Sequence, residues 1–432
     1  MIGLSLSERS PLRLFSNPEF FALASARFAG GFAFATIIIA LALYADLFEA
    51  SGFITGMFGT AYALVRLILA LPIGRYVDIG NSKRFLLAGL VMNVVMLVGY
   101  TFVASAEHVI ALRVLQGVGS ALLLIAATTV VGEISPDDER GRWIGTFNQT
   151  FSLSSFAGDI AGGTLLTVFG FGPTYGVLIA VTLVALVLVF VFVRDDPGST
   201  ADPDELPGLE SFRRLLGRNA IQALLTFRFA FSFGKMAVVI FLPVYARTQF
   251  GMEAILIGGI LAGGKLTKAG IQGYIGSLSD RVGHLEWFIV TGAAFYALGT
   301  ALIPFAATLS GLPSVSFSLL GSRVTLVAPF FFLFACYLLL GIGDVFRIPT
   351  SMALFVNEGE HYDAVAGSLS LRSVSWQVGS MLGPLIVGTL FDYTNFFVGF
   401  WVASGFVIVS AGVFFVLYAP ESTPEVAAQP ND

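Results

Sequence analysis

Arg27-Phe28-Ala29 stands seventeen residues before Tyr44-Ala45, and Arg228-Phe229-Ala230 stands seventeen residues before Tyr245-Ala246. The two copies are offset by 201 residues. Farther along, Gly74-Arg75-Tyr76-Val77-Asp78 returns as Gly276-Ser277-Leu278-Ser279-Asp280 at an offset of 202. Such an offset, in a chain of 432 residues, divides it into two halves that run in the same order. Soluble repeat arrays have periods of only about 20–50 residues, so the self-similarity is not of that kind. Parallel halves related by an axis along the membrane normal are a membrane architecture, with a binding site between the halves.

The composition agrees with a lipid environment. Apolar residues make up 56% of the chain and charged residues 12%, whereas ordinary soluble domains are roughly a quarter charged. The mean hydropathy of +0.85 leaves more apolar surface than one soluble core can hide. The single cysteine, Cys336, lies in an apolar run and excludes a disulfide or metal framework. No cofactor and no metal are expected. The net charge of −5 gathers in loops such as Asp137-Asp138-Glu139 and Asp195-Asp196, so nucleic-acid binding has no electrostatic support. The N-terminus shows no cleavage site of the signal-peptide kind.

A hydrocarbon core of ~30 Å needs about 20 apolar residues as helix. Twelve such stretches fall near 18–45, 53–78, 84–104, 107–134, 143–168, 174–193, 219–246, 254–278, 286–308, 329–356, 363–391 and 396–418. The expected fold is therefore an all-α membrane protein with twelve transmembrane helices in two pseudo-symmetric six-helix bundles. Residues 1–193 form the first bundle and 219–418 the second. Residues 194–218, rich in Pro, Gly and Asp, form a linker, and 419–432 form a tail. The offset rises to 224–225 between Gly117/Gly119 and Gly341/Gly343, and between Gly158 and Gly383. The second half has thus gained residues between its second and fourth helices, and 310–328 is the place for an external loop.

Basic residues set the orientation. With the N-terminus inside, Arg75, Lys83, Arg84, Arg140, Arg142, Arg194, Arg218 and Arg281 fall on the inner side, while Arg247 and Arg323 fall outside. Both termini and the linker are expected in the cytoplasm of a prokaryote.

Ionisable groups at membrane depth are costly and point to function. Nine cations lie inside helices: Arg27, Arg66, Arg113, Arg228, Lys235, Lys265, Lys268, Arg347 and Arg372. Two acids join them, Asp159 and Asp344. At about 1.5 Å per residue, Arg27, Arg228 and Arg372 lie ~13 Å from the inner end of their helices. Arg66, Lys265 and Lys268 lie ~16–21 Å from the outer end. Arg27 matches Arg228 in the repeat, and Arg66 matches Lys268. These six are the expected substrate-binding residues, since guanidinium and ammonium groups at the midplane suit a carboxylate or phosphate. Asp159 and Arg113 have similar depth and are expected to pair, as a proton-loading pair or as a static bridge. Asp344 and Arg347, three residues apart, neutralise each other. Asp159, Arg113 and Asp344 are the expected proton-coupling residues.

Three motifs carry a resemblance to a known family. Gly276-Ser-Leu-Ser-Asp280-Arg281-Val-Gly283-His284 resembles the loop after the second helix in the major facilitator superfamily, and Gly74 to Arg84 is a degenerate first-half copy. Arg113-Val-Leu-Gln116-Gly117-Val-Gly119-Ser-Ala121 is similar to a helix-4 segment of its drug and organic-ion members. Glu133, Pro136, Arg140, Gly141 and Gly145 follow at the family's spacing. The resemblance implies a twelve-helix secondary transporter working by alternating access. It implies a gating latch made by Gly74, Asp78, Glu133, Arg140, Gly276, Asp280 and Arg281, with the aspartates meeting a helix N-terminus. The helix-5 motif of antiporters departs here: Gly158-Asp159-Ile-Ala-Gly162-Gly163 has Asp159 where Pro is usual, whereas Gly379-Ser-Met-Leu-Gly383-Pro384 keeps it.

The reading is a proton-coupled carrier for a small anionic or zwitterionic metabolite, a carboxylate or an amino acid. Its partners are that solute, protons and membrane lipid, and the carrier is expected to be a monomer. The rival is a multidrug/proton antiporter, and a further alternative is a receptor or scramblase on the same scaffold. An enzyme is the least supported, because no nucleophile motif or metal spacing is present.

Overall fold

A computed structural model describes residues 11–195, 214–361 and 365–418. The linker from 196 to 213 and the tail beyond 418 lie outside the described residues, as do the side chains of Asp78 and Asp280. Among the described residues, twelve long helices follow one another. They are α1 (Pro18–Leu47), α2 (Gly52–Ile79), α3 (Ser82–Tyr100), α4 (Ala106–Ile134), α5 (140–169), α6 (Phe171–Phe192), α7 (Asn219–Phe250), α8 (Ala254–Val282), α9 (Leu285–Leu302, extended by a 3-10 turn Ile303–Leu309), α10 (Ala328–Glu360), α11 (Val365–Tyr393) and α12 (Phe396–Leu417). Eleven helical segments among the described residues are long and apolar enough to cross a membrane. The remaining helix, α5, is interrupted: Arg140–Ala157 and Gly163–Phe169 are α-helical, and Gly158–Gly162 forms a π turn.

Local chemistry sets the helix ends. The Asn17 side chain accepts from the Glu19 and Phe20 amides to open α1, and Ser51 does the same for Ile54 in α2. Asn81 and Asn395 cap α3 and α12. Gly170, at φ +73°, turns the chain from α5 to α6 in a single residue, a conformation that few side chains tolerate.

The first six helices and the last six each pack as a bundle. The bundles meet along two seams, α2 against α11 and α5 against α8, with α1 against α7 between them. The seams are equivalent in the repeat, since α2 corresponds to α8 and α5 to α11. Small residues let the backbones touch. A Cβ on Gly388 would meet the Gly52 carbonyl, one on Gly56 the Pro384 carbonyl, and one on Gly258 the Asp159 carbonyl. Gly163 likewise lies against Ala254.

All of these contacts lie toward the end of the bundle opposite the chain termini, the distal face. Toward the terminal face the seams part. A Cβ on Gly74, Gly270, Gly273 or Gly276 would meet nothing within 4 Å. Tyr76 is 61% exposed and Tyr274 67%. The halves are therefore in close contact distally and apart at these positions toward the face that carries both ends. Gly74 and Gly276 do not sit in close helix packing in this conformation.

The extra residues of the second half are ordered. Val315–Leu319 (β1) and Ser322–Leu326 (β2) form an antiparallel hairpin with Phe317 opposite Val324. Its tip, Leu320-Gly321, has positive φ at both residues. Val324 is fully buried, and the Thr325 amide donates to Glu253 Oε1 at 3.3 Å, which ties the hairpin to the start of α8.

Candidate substrate cavity

In the first half the cations lean on aromatic rings. The Arg27 guanidinium on α1 lies 4.3 Å from the Phe151 ring centre and 5.3 Å from that of Phe147, both on α5. Its Nε is buried and has no hydrogen-bond partner among the described residues. Arg66 on α2 donates to Tyr62 Oη at 3.3 Å, and Tyr62 Oη shares a 2.9 Å hydrogen bond with Ser120 Oγ. Arg27 and Arg66 are near enough to repel each other. A small, partly open cavity of about 60 Å³ lies within this half, lined by Arg27, Phe34, Tyr62, Asn93, Gln116 and Phe151 among others.

Arg113 is fully buried beside it. Its Nε donates to the Phe58 carbonyl at 2.6 Å, its Nη1 donates to Gln116 Oε1 at 2.5 Å, and its guanidinium stacks on Tyr62 at 4.5 Å. The expected pairing with Asp159 is not formed: the Arg113 Nε and Nη1 donors are used within α2 and α4, and its Nη2 has no partner among the described residues.

The second half repeats the motif with different partners. Arg228 on α7 lies 4.2 Å from the Trp376 ring centre on α11. Trp376 follows Phe151 by 225 residues, so the repeat has built the same cation–ring pair twice. Arg372 and Arg347 are close enough to Arg228 for mutual repulsion. Asp344 on α10 sits between Lys235 and Arg347, accepting from Arg347 Nη2 at 2.7 Å and from Lys235 Nζ. Arg347 stacks on Phe231 at 3.4 Å. The Asp344–Arg347 contact matches the three-residue spacing. The Lys235 contact is additional, because sequence gives no distance between α7 and α10.

One buried ion pair crosses between the halves. Asp159 lies in the π turn of α5 and is 1% exposed, and its Oδ2 is 2.5 Å from Lys265 Nζ on α8. Lys265 also donates to the Ser155 carbonyl at 3.0 Å and to Ser155 Oγ at 2.6 Å. The π turn lets Ser155 and Asp159 share one cation, a use typical of such irregular turns at functional sites. Of the six residues expected to bind substrate, Lys265 alone has a carboxylate partner. Arg27, Arg66, Arg228, Lys268 and Arg372 make no ion pair among the described residues, and neither does Arg113.

Of the residues expected in a gating latch, Asp78 and Asp280 have side chains outside the described ones. Arg140 makes an exposed 3.4 Å pair with Asp137 in its own turn. Glu133 and Arg281 are exposed. Arg194, just past α6, binds Glu19 at the start of α1 through bonds of 2.6–3.1 Å. That carboxylate, with Glu133 nearby, holds the Arg194 guanidinium above its ordinary pKa.

Two helical halves that meet along matched seams, with charged groups buried inside them, are shared by many carriers. The sequence decides between them, because residues 23–324 match the profile of the Major Facilitator Superfamily. The chain belongs to the major facilitator superfamily. It is thus a multi-pass membrane protein and a secondary transporter of that type. It is 25% identical to an uncharacterized MFS-type transporter of Methanocaldococcus jannaschii over 300 residues, covering 67% of this chain and 75% of the relative. It is 23% identical to Multidrug resistance protein 2 of Bacillus subtilis over 384 residues, covering 85% and 88%. A solved bacterial homologue of the human lysosomal transporter Spinster, inward-facing and unoccupied, superposes with a TM-score of 0.72 at 14% identity, covering 93% of this chain and 98% of the other. That likeness concerns the fold. In this facilitator the groups that sequence reasoning missed are the aromatic platforms, Phe151 and Trp376. Their shared offset from each other was readable, but not that each lies beside an arginine of another helix.

Proposed function

We propose that this facilitator carries a small organic anion or zwitterion, a carboxylate or an amino acid, by proton-coupled alternating access. The observation that carries the reading is the repeated arginine–ring pair. Arg27 and Arg228 occupy equivalent places in the two halves, each with its guanidinium over an aromatic ring and each without an acidic partner among the described residues. Nine cations against two acids leave a positive cavity, which favours an anion and repels a lipophilic cation. Arg66, Lys268 and Arg372 extend the site, and Lys265 joins it where it faces the cavity. Asp159 is the proposed proton carrier, and Asp344 and Arg113 are proposed as further coupling residues at separate places in the fold.

The halves are assigned to residues 1–193 and 219–418, with the terminal face in the cytoplasm of a prokaryote, because the basic loops lie there. On that assignment the halves are apart on the inward side. Gly74, Asp78, Glu133, Arg140, Gly276, Asp280 and Arg281 are proposed to close the terminal face in the opposite state.

The test is ligand-induced thermal stabilisation of the purified protein. Succinate, acetate, glutamate and alanine are compared with tetraphenylphosphonium and ethidium. A rise in melting temperature with anions or amino acids, and none with the cations, supports the reading. The reverse result assigns the protein to multidrug/proton antiport, which the likeness to Multidrug resistance protein 2 favours.

A further inference from the structure

Besides the close backbone packing, the distal closure includes three polar contacts between the halves at the ends of their helices, and the repeat relates them to one another. Asp392, at the end of α11, accepts from the Gly52 amide at 2.5 Å and the Phe53 amide at 2.8 Å, at the start of α2. Thr167, at the end of α5, accepts from the Ile255 amide at 2.9 Å, at the start of α8. Thr167 and Asp392 are separated by 225 residues, and Phe53 and Ile255 by 202, so each contact is the repeat image of the other. On the axis between them, Arg247 Nε donates to Asp46 Oδ2 at 2.8 Å. Asp46 and Arg247 are themselves 201 residues apart. The two copies of one position therefore carry opposite charges and bind each other.

Each contact joins a residue of the first half to a residue of the second, at the distal ends of their helices. Rigid-body opening of the halves at this face breaks all three. A side chain that caps another helix satisfies amides that the helix cannot satisfy itself. A carboxylate does so more strongly than a hydroxyl, because the helix N-terminus carries partial positive charge. The α2–α11 seam is thus held by a charged cap and the α5–α8 seam by a neutral one.

We infer that Asp392, Thr167 and the Asp46–Arg247 pair form a three-point latch that holds the distal entrance shut, with Asp392 as its strongest point. These residues position the halves and touch no substrate. The arrangement is the kind of aspartate-on-helix-N-terminus contact that the Gly-x-x-x-Asp motif implies for the other face, built instead at this one. The inference uses the transporter fold and does not depend on which solute is carried.

Its test is a distance measurement between spin labels on the two halves. Phe102→Cys, in the exposed turn between α3 and α4, and Leu312→Cys, after α9, report on the distal face away from the latch. Cys336→Ser removes the native thiol. The unaltered latch should give one short distance. Asp392→Ala and Asp46→Arg should each add a longer-distance population, and Thr167→Val a smaller one. The exchanged pair, Asp46→Arg with Arg247→Asp, should return the distribution to the short distance, an outcome that a merely unfolded variant cannot produce. Melting curves on the same samples confirm folding. Unchanged distances in Asp392→Ala and Asp46→Arg overturn the latch. Failure of the exchanged pair to restore a shifted distribution overturns the pairing role of Asp46 and Arg247.

Discussion

The Asp159–Lys265 pair makes an asymmetric prediction, because its two members are buried to different degrees. Asp159 is 1% exposed, enclosed by the α5–α8 seam, whereas the Lys265 side chain is 31% exposed. Other charged or titratable groups facing the pair are Lys268 on α8 and Tyr337 on α10. Replacing Lys265 by Met leaves a carboxylate without water or counter-ion, and stranding one member of a buried pair costs roughly 3–5 kcal/mol. Replacing Asp159 by Asn leaves an ammonium that keeps the Ser155 carbonyl and hydroxyl. It also keeps access to cavity water, so the cost falls to about 1–2 kcal/mol, the scale of one lost charged hydrogen bond. The double variant removes both charges and should be more stable than Lys265→Met alone. Thermal unfolding in one detergent, with all four proteins side by side, gives the order directly. Equal losses in the two single variants, or a double variant that loses the sum of both, would falsify a buried and mutually dependent pair. In proteoliposomes, Asp159→Asn should also abolish solute accumulation driven by a pH gradient while sparing solute exchange. Loss of both activities removes Asp159 from proton coupling.

Arg27→Ala and Arg228→Ala should each weaken binding of a stabilising anion by about ten- to a hundredfold, the worth of a buried charge-assisted contact. Calorimetric titration reads it, and unchanged affinity in both variants ends the repeated-arginine site. Phe151→Leu and Trp376→Leu should weaken binding less, since each removes only a cation–ring contact of about 0.5–2 kcal/mol. Gly56→Val should force the α2–α11 seam apart, because the new Cβ meets the Pro384 carbonyl, and should lengthen the distal spin-label distance. Lys235→Met should cost less stability than Lys265→Met, because Arg347 remains beside Asp344. A larger loss would mean that Arg347 is not the main partner.

The fold was legible because a bilayer makes simple demands. Twelve apolar runs and one offset fix twelve helices in two halves, and the shift of that offset to 224–225 locates the extra segment that became the β-hairpin. The presence of cations inside the helices was legible too, since any charge in an apolar run stands out. Partner choice was not. Arg113 and Asp159 share a depth, but depth on two helices says nothing of which faces meet, and the π turn at Gly158–Gly162 rotates Asp159 toward α8. Lys235 reaches Asp344 across a gap in sequence of 109 residues, which no local spacing reveals. The distal latch was hidden for another reason. Asp46, Arg247 and Asp392 read as loop charges, and only the packing of the halves makes them contacts.

The pattern of what the repeat keeps and what it changes has a physical logic. Glycines and small residues at the seams recur, because both seams need close backbones whichever face is closed. Arg27/Arg228 and Arg66/Lys268 recur as well, but several charges do not. Asp159 stands where the other half has Pro384, Lys235 where it has Phe34, Asp344 where it has Ser120, and Arg247 where it has Asp46. Pro384 and the π turn around Asp159 interrupt equivalent points of α11 and α5, so both helices gain a break in the hydrogen-bond ladder by different means. Identical halves would present identical electrostatics to the solute and give each seam the same resistance to opening. With the cross-seam ion pair confined to α5–α8 and the charged cap confined to α2–α11, the two seams resist opening through different groups. Asp159→Asn and Asp392→Ala should therefore add independently in the distal distance distribution when combined. A combined shift no larger than the greater single one would mean that both act on one seam.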